Sequence, residues 1–205
     1  IINIGCTPSL GLGLLPNILN KYLKVNSGTK FNIVNLQSLD LEDQLKELTF
    51  DLVICFNPND SDLFQKTVLH SGKLVLISSK ENSPQESIFK LAGIQDQPFI
   101  KIKNLKTNAA QNNLDDVLKK EGISVNWIAE TETIQVAKAM VEKGSGYAII
   151  DDFSAAINGD KISINEIEPA IGYQICMISN KEKPLSVSAQ SFINFLEKLP
   201  GKLDQ

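Results

Sequence analysis

The sequence predicts an α/β protein built on parallel sheets. Apolar, strand-like runs alternate with amphipathic, helix-like segments along all 205 residues. The run FDLVICF (50–56) is apolar almost without a break, which is typical of a strand buried on both faces. A strand–helix–strand order of this kind predicts parallel pairing with right-handed crossovers.

The first round of elements fills residues 1–56. A helix with an apolar stripe follows the opening strand, and proline is tolerated only in the first turn of a helix. We therefore expect the regular helix to start at about Pro16, with residues 7–15 forming a loop or distorted turn. The other segments of this round are the strands IINIG, FNIVNL and FDLVICF and the helix LEDQLKEL.

A second round of similar plan begins at KLVLIS (73–78), and no flexible linker precedes it, so two lobes are predicted in one chain. Gly122 is expected to stop one helix, while Gly144 and Gly146 supply positive φ values between a helix and a strand. Ser186 or Ser188 is the expected cap of the closing helix. The segments are a short helix near 84–91, strand PFIKI, helix NLDDVLKKEG, strand VNWIA, helix TIQVAKAMVEKG, strands YAIID and YQICMIS, and helix SVSAQSFINFLEKL.

Composition restricts the ligands this chain can hold. The net charge of -4 argues against binding of nucleic acid by this chain on its own. No apolar run reaches the length of a membrane span. All 20 basic residues are lysines, so the chain lacks the bidentate guanidinium fork that clamps carboxylates and phosphates. A bound anion must therefore rely on hydroxyls, amides, helix N-termini or lysine ammonium groups.

Histidine and cysteine are too scarce for the commonest catalytic and metal sites. His70 is the only histidine and lies far in sequence from any candidate nucleophile, which argues against a metal cluster or a Ser-His-Asp triad. We therefore predict no catalytic residue, no metal and no cofactor. Cys6 and Cys55 end two strands expected to be neighbours, so a redox pair is one interpretation; two small buried apolar residues is the interpretation we prefer.

Four segments stand out in order along the chain: INIGCTPSLGLGLLPNIL, LKELTFDLVICF, PFIKIKNLKTNAAQNNLDDVLKKEGI and TIQVAKAMVEKGSGYAII. Together they resemble the effector-binding domain of LysR-type transcriptional regulators. Their order and spacing agree with that family over nearly the whole chain. Two positions depart from its pattern, because Leu48 stands where glycine is usual and Asp151 stands where proline is common.

The resemblance implies a periplasmic-binding-protein type II-like fold, with two Rossmann-like lobes joined by two crossover strands. Lobe I would comprise residues 1–74 and 173–205, and lobe II residues 75–172. The implied function is small-molecule effector binding and oligomerisation, controlling DNA binding by a helix-turn-helix domain that is absent from this chain and would precede Ile1. A cytoplasmic homodimer or homotetramer is expected. Its contacts would use the helix at 16–23 of one chain and the helix at 133–143 of another.

Candidate effector-binding residues in lobe I are hydroxyls that follow strands. Thr7 and Ser9 precede the first helix, where unpaired backbone N–H groups favour an anionic, carboxylate-like group. Ser9 could instead cap that helix. Ser38, in the loop after the second strand, matches a hydroxyl position that often touches effector in the family, although it could be a turn serine bonded to its own backbone.

Candidates in lobe II follow the strand PFIKI. Lys103 could replace the missing arginine as the cationic partner of the effector, and solvated lysine is the alternative. Thr133 heads a helix and is expected to cap it; the alternative is that its side chain faces the effector. The remaining candidates of this lobe are Asn104, Thr107 and Asn108.

Three competing functions remain at this stage. A solute-binding protein for transport would share the two lobes. An enzyme on this scaffold would lack the usual acid, base and nucleophile set. A regulatory domain that acts only through oligomer contacts would need no ligand at all.

Overall fold

The computed structural model describes residues 1–36, 49–103, 109–157 and 159–199. These residues divide into two compact units. The first unit draws its described residues from Ile1–Ser71 and Gln174–Gln205, and the second from Gly72–Leu105 and Ala109–Tyr173. Strands and helices alternate along the chain, so the predicted α/β class is confirmed.

The described residues contain ten strands and six α-helices. Among them, no helix combines the length and the apolar character needed to cross a membrane. The strands are β1 (Ile2–Cys6), β2 (Phe31–Asn35), β3 (Leu52–Phe56), β4 (Phe64–Ser79), β5 (Ile88–Lys90), β6 (Phe99–Ile102), β7 (Trp127–Thr131), β8 (Ala148–Asp151), β9 (Ile162–Glu168) and β10 (Gly172–Asn180). The helices are α1 (Pro8–Gly13), α2 (Leu15–Leu23), α3 (Ala109–Lys120), α4 (Ile134–Glu142), α5 (Asp152–Ala156) and α6 (Val187–Leu196).

In the first unit the strands follow the order β2–β1–β3–β10. β1 pairs in parallel with both β2 and β3, whereas β10 runs antiparallel to β3. Every residue of β3 is buried, as its continuous apolar run predicts. Because β1, β2 and β3 are parallel, their carboxyl ends meet at one edge of the sheet, which is where open α/β sheets bind ligands.

The segment after β1 is helical, so the expected loop over residues 7–15 is wrong. Pro8 occupies the first turn of α1, where its missing N–H would have had no partner inside the helix. A break at Leu14 separates α1 from α2 and places Pro16 in the first turn of the second helix. Two short helices therefore accommodate both prolines, whereas only one helix, starting at about Pro16, was expected.

An aromatic group closes the core of the first unit between α2 and α6. Tyr22 lies edge-on to Phe192 and Phe195, with ring centroids 4.9 Å and 5.2 Å apart. Phe31 of β2 packs edge-on against Tyr22 and Phe192. Edge-to-face pairs of this kind add about 0.5–1.5 kcal/mol each beyond the burial of their area.

Three of the predicted helix ends are confirmed, at Ser186, Gly122 and Gly144. Ser186 caps α6 by accepting a backbone N–H of the first turn at 3.1 Å. Gly122 and Gly144 have φ values of 67° and 77°, as expected for glycines that end helices. Gly146 has no positive φ. It is needed for close approach, because a Cβ there would lie 2.3 Å from the carbonyl oxygen of Pro98.

In the second unit β4 pairs antiparallel with β8 and β9, and β5 adds to β9 in parallel. A separate two-stranded parallel sheet joins β6 and β7. The helices α4 and α5 pack on the face of β4 and β8 that forms the core. That core comprises Val75, Ile77, Ile100, Ile102, Ile134, Ala137, Val141, Ala148, Ile150, Ala155 and Ile162.

Three parts of the second unit differ from the sequence predictions. The helix expected near 84–91 is wrong, because β5 pairs there with β9 and a 3-10 helix follows at Leu91–Asp96. β4 is 16 residues long and begins well before KLVLIS. β9 was not predicted at all.

Candidate functional site

Thr7 and Ser9 lie at the carboxyl end of β1, and the backbone around them is firmly held. Thr7 is the N-cap residue of α1, and its N–H donates to the carbonyl oxygen of Ile54 at 3.1 Å. Its own carbonyl accepts the N–H of Gly11 at 3.0 Å. Thr7 and Ser9 are only 6% and 4% exposed. The turn is therefore tied to β3, and its two hydroxyl residues are buried.

Ser9 is not a helix cap, so that interpretation of the sequence is wrong. Thr7 occupies the cap position, and Ser9 is the second residue of α1. The Ser9 Oγ atom is buried, and within the described residues it has no hydrogen-bond partner. A buried hydroxyl without a partner costs about 1–3 kcal/mol. Ser9 is thus the hydroxyl in this turn whose hydrogen-bonding capacity remains unused.

The helix N-terminus itself contributes little to an anion site here. α1 has six residues, so few aligned peptide dipoles stand behind its N-terminus. Thr7 makes no side-chain capping hydrogen bond. Recognition of a ligand at this edge would therefore depend on the Ser9 hydroxyl more than on the helix dipole.

In the second unit Lys103 and Thr133 follow the neighbouring strands β6 and β7. The Lys103 N–H donates to the carbonyl oxygen of Thr131 at 2.7 Å, which fixes its backbone at the sheet edge. The Lys103 Nζ atom lies 3.1 Å from Glu132 Oε1, and both side chains are 52% exposed. A pair this exposed contributes at most about 1 kcal/mol. Lys103 therefore carries a cationic group at this edge, with an acidic group beside it that the sequence analysis did not consider.

Thr133 occupies the cap position of α4 but does not cap it. Its side chain makes no capping hydrogen bond, so the expected role of the Thr133 hydroxyl as a cap is wrong. The hydroxyl of Thr131 lies at this turn instead and accepts the Thr133 N–H at 3.3 Å.

The structure brings the predicted residues together in two separate pairs. Thr7 and Ser9 share the turn after β1, while Lys103 and Thr133 end adjacent strands of the second unit. Four further candidates lie outside the described residues: Ser38, Asn104, Thr107 and Asn108. All eight residues remain predicted effector contacts.

The three cysteines are buried and free. Cys6 lies opposite Ile54 in the sheet, and the register partner of Cys55 is Cys176 of β10. Burial raises the pKa of Cys6 and of Cys176 to about 11 and also raises the pKa of Cys55. Thiols held neutral in this way react slowly. Within the described ranges, no group of three potential metal ligands comes together.

Two adjacent acids, the buried Asp151 and the half-buried Asp152, lie at the end of β8. Asp151 accepts the N–H of Ser154 at 2.7 Å and so caps α5. Burial raises the pKa of Asp151 to about 6, although the hydrogen bond from the Ser154 N–H opposes this shift. Asp152 accepts the hydroxyl of Tyr173 from β10. The signal available in the sequence was Asp151 itself, at a position where the resembling family favours proline.

The chain matches known proteins over almost its full length. Residues 1–200 match the family described as LysR substrate binding domain. The chain is 25% identical to the HTH-type transcriptional regulator DgcR of a Pseudoalteromonas species over 95% of its own residues and 67% of that protein. It is also 25% identical to the HTH-type transcriptional regulator AdmX of Serratia plymuthica, over 95% of this chain and 61% of that protein. The chain thus spans about two thirds or less of these regulators.

Solved structures share the fold. The regulatory domain of Synechocystis PCC6803 CcmR, in complex with 2-PG, superposes with a TM-score of 0.85 at 15% identity, covering 98% of this chain and 97% of that one. The effector-binding domain of QuiR, in complex with shikimate, gives 0.82 at 21% identity, with 98% and 97% covered.

The two α/β units thus have the fold of the regulatory and effector-binding domains in those solved structures. By its sequence, the chain belongs to the LysR substrate binding domain family. The matched relatives are transcriptional regulators, and none of them supports the alternative of a solute-binding protein for transport.

Proposed function

We propose that this chain senses a small molecule for a LysR-type regulator and that Ser9 contacts the ligand. The observation that carries the proposal is the buried Ser9 Oγ atom, which lacks a hydrogen-bond partner among the described residues. A ligand that hydrogen-bonds to this oxygen recovers part of the cost of burying it. The site lies at the sheet edge where open α/β folds bind their ligands.

The ligand is proposed to carry a carboxylate or another acceptor-rich group. Without arginine, the chain offers hydroxyls, backbone amides and lysine as partners for an anion. Ser9 and Thr7 supply hydroxyls in the first unit, and Lys103 supplies an ammonium group in the second. Two structural neighbours were solved with small ligands, QuiR with shikimate and CcmR with 2-PG, which supports a ligand of similar size.

The proposed role of the whole protein extends beyond this chain. The regulators that it resembles are of the helix-turn-helix type, which supports DNA binding through a domain outside these residues. The chain itself is proposed to act in the cytoplasm as regulatory lobes I (1–74 and 173–205) and II (75–172). The boundaries of the compact units, at Ser71–Gly72 and Tyr173–Gln174, support this division.

Self-association is proposed through exposed apolar side chains on the edge strands β2 and β7 and on the helices α1 and α4. In the second unit Trp127 and Ile128 of β7 are 58% and 49% exposed, and Val136 of α4 is 49% exposed. In the first unit Ile33 of β2 is 44% exposed and Leu12 of α1 is 57% exposed. The helix expected at 16–23 contributes less than the sequence suggested, because the apolar face of α2 is buried in its own unit.

The test of the sensing role is calorimetry and thermal shift of the chain with small carboxylates and phosphorylated acids, including shikimate and 2-PG. We expect at least one compound to release heat and raise the melting temperature. Ser9→Ala should bind that compound at least tenfold more weakly, a loss of about 1.4 kcal/mol. The same variant should be more stable without ligand, since it no longer buries an unpaired hydroxyl.

Ser186→Ala is the matched control for this experiment. It removes the cap of α6, so we expect it to lose about 1 kcal/mol of stability and to keep its ligand affinity. If no compound binds, the sensing role loses its support. If Ser9→Ala binds like the wild type, Ser9 is not a ligand contact.

A further inference from the structure

Two strands carry the chain from one compact unit to the other. β4 passes from the first unit to the second between Ser71 and Gly72, and β10 passes back between Tyr173 and Gln174. The two crossover strands are hydrogen-bonded neighbours in the sheet order. On the second-unit side, the Leu74 N–H donates to the carbonyl oxygen of Ile171 at 2.8 Å.

One carboxylate holds both strands at this point. Asp152, the first residue of α5, accepts the backbone N–H of Lys73 on β4 through Oδ2 at 3.1 Å. Its Oδ1 atom accepts the hydroxyl of Tyr173 on β10 at 2.5 Å. The Tyr173 oxygen also accepts the N–H of Phe153 at 3.4 Å, which ties β10 to the same turn of α5.

The close approach at this junction depends on a glycine. A Cβ at Gly72 would lie 2.5 Å from both the Asp152 Oδ1 and the Tyr173 hydroxyl oxygen. On the other crossover strand, the carbonyl oxygen of Gly172 accepts the side-chain amide of Asn113 at 3.1 Å. The residues of the second unit next to its boundary, on both crossover strands, therefore contact side chains of α5 and α3.

The charges around the carboxylate favour the observed hydrogen bonds. Tyr173 is only 3% exposed. Its burial, and to a lesser extent the nearby Asp151 and Asp152, raise the pKa of its phenol, so the hydroxyl stays neutral and can donate a hydrogen bond. Lys138 of α4 interacts electrostatically with Glu142 and Asp151, and its Nζ donates to the carbonyl oxygens of Ser154 at 2.8 Å and of Ala155 at 3.2 Å. These two bonds hold α5, and with it Asp152, in place.

We propose that Asp152 is a positioning residue that fixes both crossover strands, β4 and β10, to the second unit. At the boundary of that unit the two strands then behave as one rigid pair. Any change in the backbone torsions of these strands occurs outside Gly72–Leu74 and outside Tyr173. This proposal goes beyond the sensing role and does not depend on the identity of a ligand.

The experiment is hydrogen–deuterium exchange of the ligand-free chain, resolved to single amides. Because the Lys73 N–H donates to the Asp152 carboxylate, we expect exchange at the Lys73 amide to be at least tenfold faster in Asp152→Ala than in the wild type. In Asp152→Asn the exchange rate of this amide should lie between those of the wild type and Asp152→Ala, since the asparagine amide oxygen can still accept the Lys73 N–H. Asp116→Ala changes an exposed acid on α3 and should leave exchange at Lys73 unchanged.

A second variant separates positioning from general stability. Tyr173→Phe should speed exchange at Lys73 less than Asp152→Ala does, and the double variant should be no faster than Asp152→Ala alone. Unchanged exchange at Lys73 in Asp152→Ala would overturn the proposal. Equally faster exchange in β1 and β3 would also overturn it, because it would show loss of global stability without a local role at the crossover.

Discussion

Asp51 and Lys183 form a largely buried ion pair in the first unit. Their Oδ1 and Nζ atoms lie 3.1 Å apart, and the side chains are 11% and 15% exposed. Asp51 also accepts the N–H of Asn3 at 2.8 Å, and Lys183 donates to the carbonyl oxygen of Phe50 at 2.9 Å. The pair therefore links the start of β1, the entry to β3 and the loop before α6.

Removing one partner of this pair should destabilise the chain strongly. Lys183→Met leaves the Asp51 carboxylate buried without its cation, and a broken buried pair costs about 3–5 kcal/mol. Urea unfolding should show a lower midpoint with an unchanged slope. Lys181→Met is the matched control, because the Lys181 side chain is exposed and its Nζ donates to the carbonyl oxygen of Asp62. Equal midpoints for the two variants would contradict this account.

The sequence predicted the first unit better than the second because its elements carry strong local signals. β3 reads as a buried strand from its composition alone, and Ser186 marks the start of α6. β5 and β9 lack such signals, because they are defined by their pairing: β5 pairs with β9, and β9 pairs with β4. Residue spacing cannot reveal that kind of nonlocal pairing.

The candidate site was predictable only in part for the same reason. Thr7 and Ser9 could be placed at a strand end from the order of elements. The unpaired state of the Ser9 hydroxyl depends on which residue caps α1, which the sequence left open. The pair of Lys103 with Glu132 depends on the register of β6 against β7, and Asp152 reaches Tyr173 across 21 residues of chain.

Asp151 should make the stability of the chain depend on pH. Its pKa is about 6 in the folded chain against an ordinary value of 3.8, so folding favours the protonated carboxyl. The unfolded chain releases this proton more readily, and stability from this group therefore falls as pH rises through about 6. The wild type should gain stability when the pH is lowered from 7.5 to 5.

Asp151→Asn tests this dependence. Asparagine keeps the cap on the Ser154 N–H and removes the buried charge, so we expect about 1–3 kcal/mol of added stability at pH 7.5. The gain should shrink towards pH 4 in urea titrations. Asp160→Asn, at an exposed acid of the same unit, should leave the pH profile unchanged. A variant profile parallel to the wild type would show that Asp151 is not the group responsible.

Gly146 should tolerate no side chain, although its φ is not positive. A Cβ would lie 2.3 Å from the Pro98 carbonyl oxygen, which is backbone and cannot swing aside. The Pro98 carbonyl also accepts the Tyr147 N–H at 2.9 Å, so a shift there would break the contact between the loop and β6. We expect Gly146→Ala to lower stability by more than about 2 kcal/mol, comparable with overpacking a core.

Gly28→Ala is the matched control for that substitution. A Cβ at Gly28 meets no heavy atom within 4 Å, and its φ is not positive. We expect it to be neutral or to stabilise the chain by up to about 1 kcal/mol through the unfolded state. A melting temperature of Gly146→Ala equal to that of Gly28→Ala would rule out close approach as the reason for glycine at 146.

Trp127 should govern self-association of the chain. Its side chain is 58% exposed on the edge strand β7, so it is not part of the core. Large aromatic side chains dominate the energetics of interfaces, and an edge strand adds unpaired backbone groups beside them. Trp127→Ser should therefore raise the dissociation constant of the proposed dimer at least tenfold, as measured by sedimentation velocity over a range of concentrations.

Ile88→Ser, at an apolar residue 51% exposed on the edge strand β5, is the control and should leave the dimer intact. If both variants sediment like the wild type, the surface around β7 is not the contact between copies.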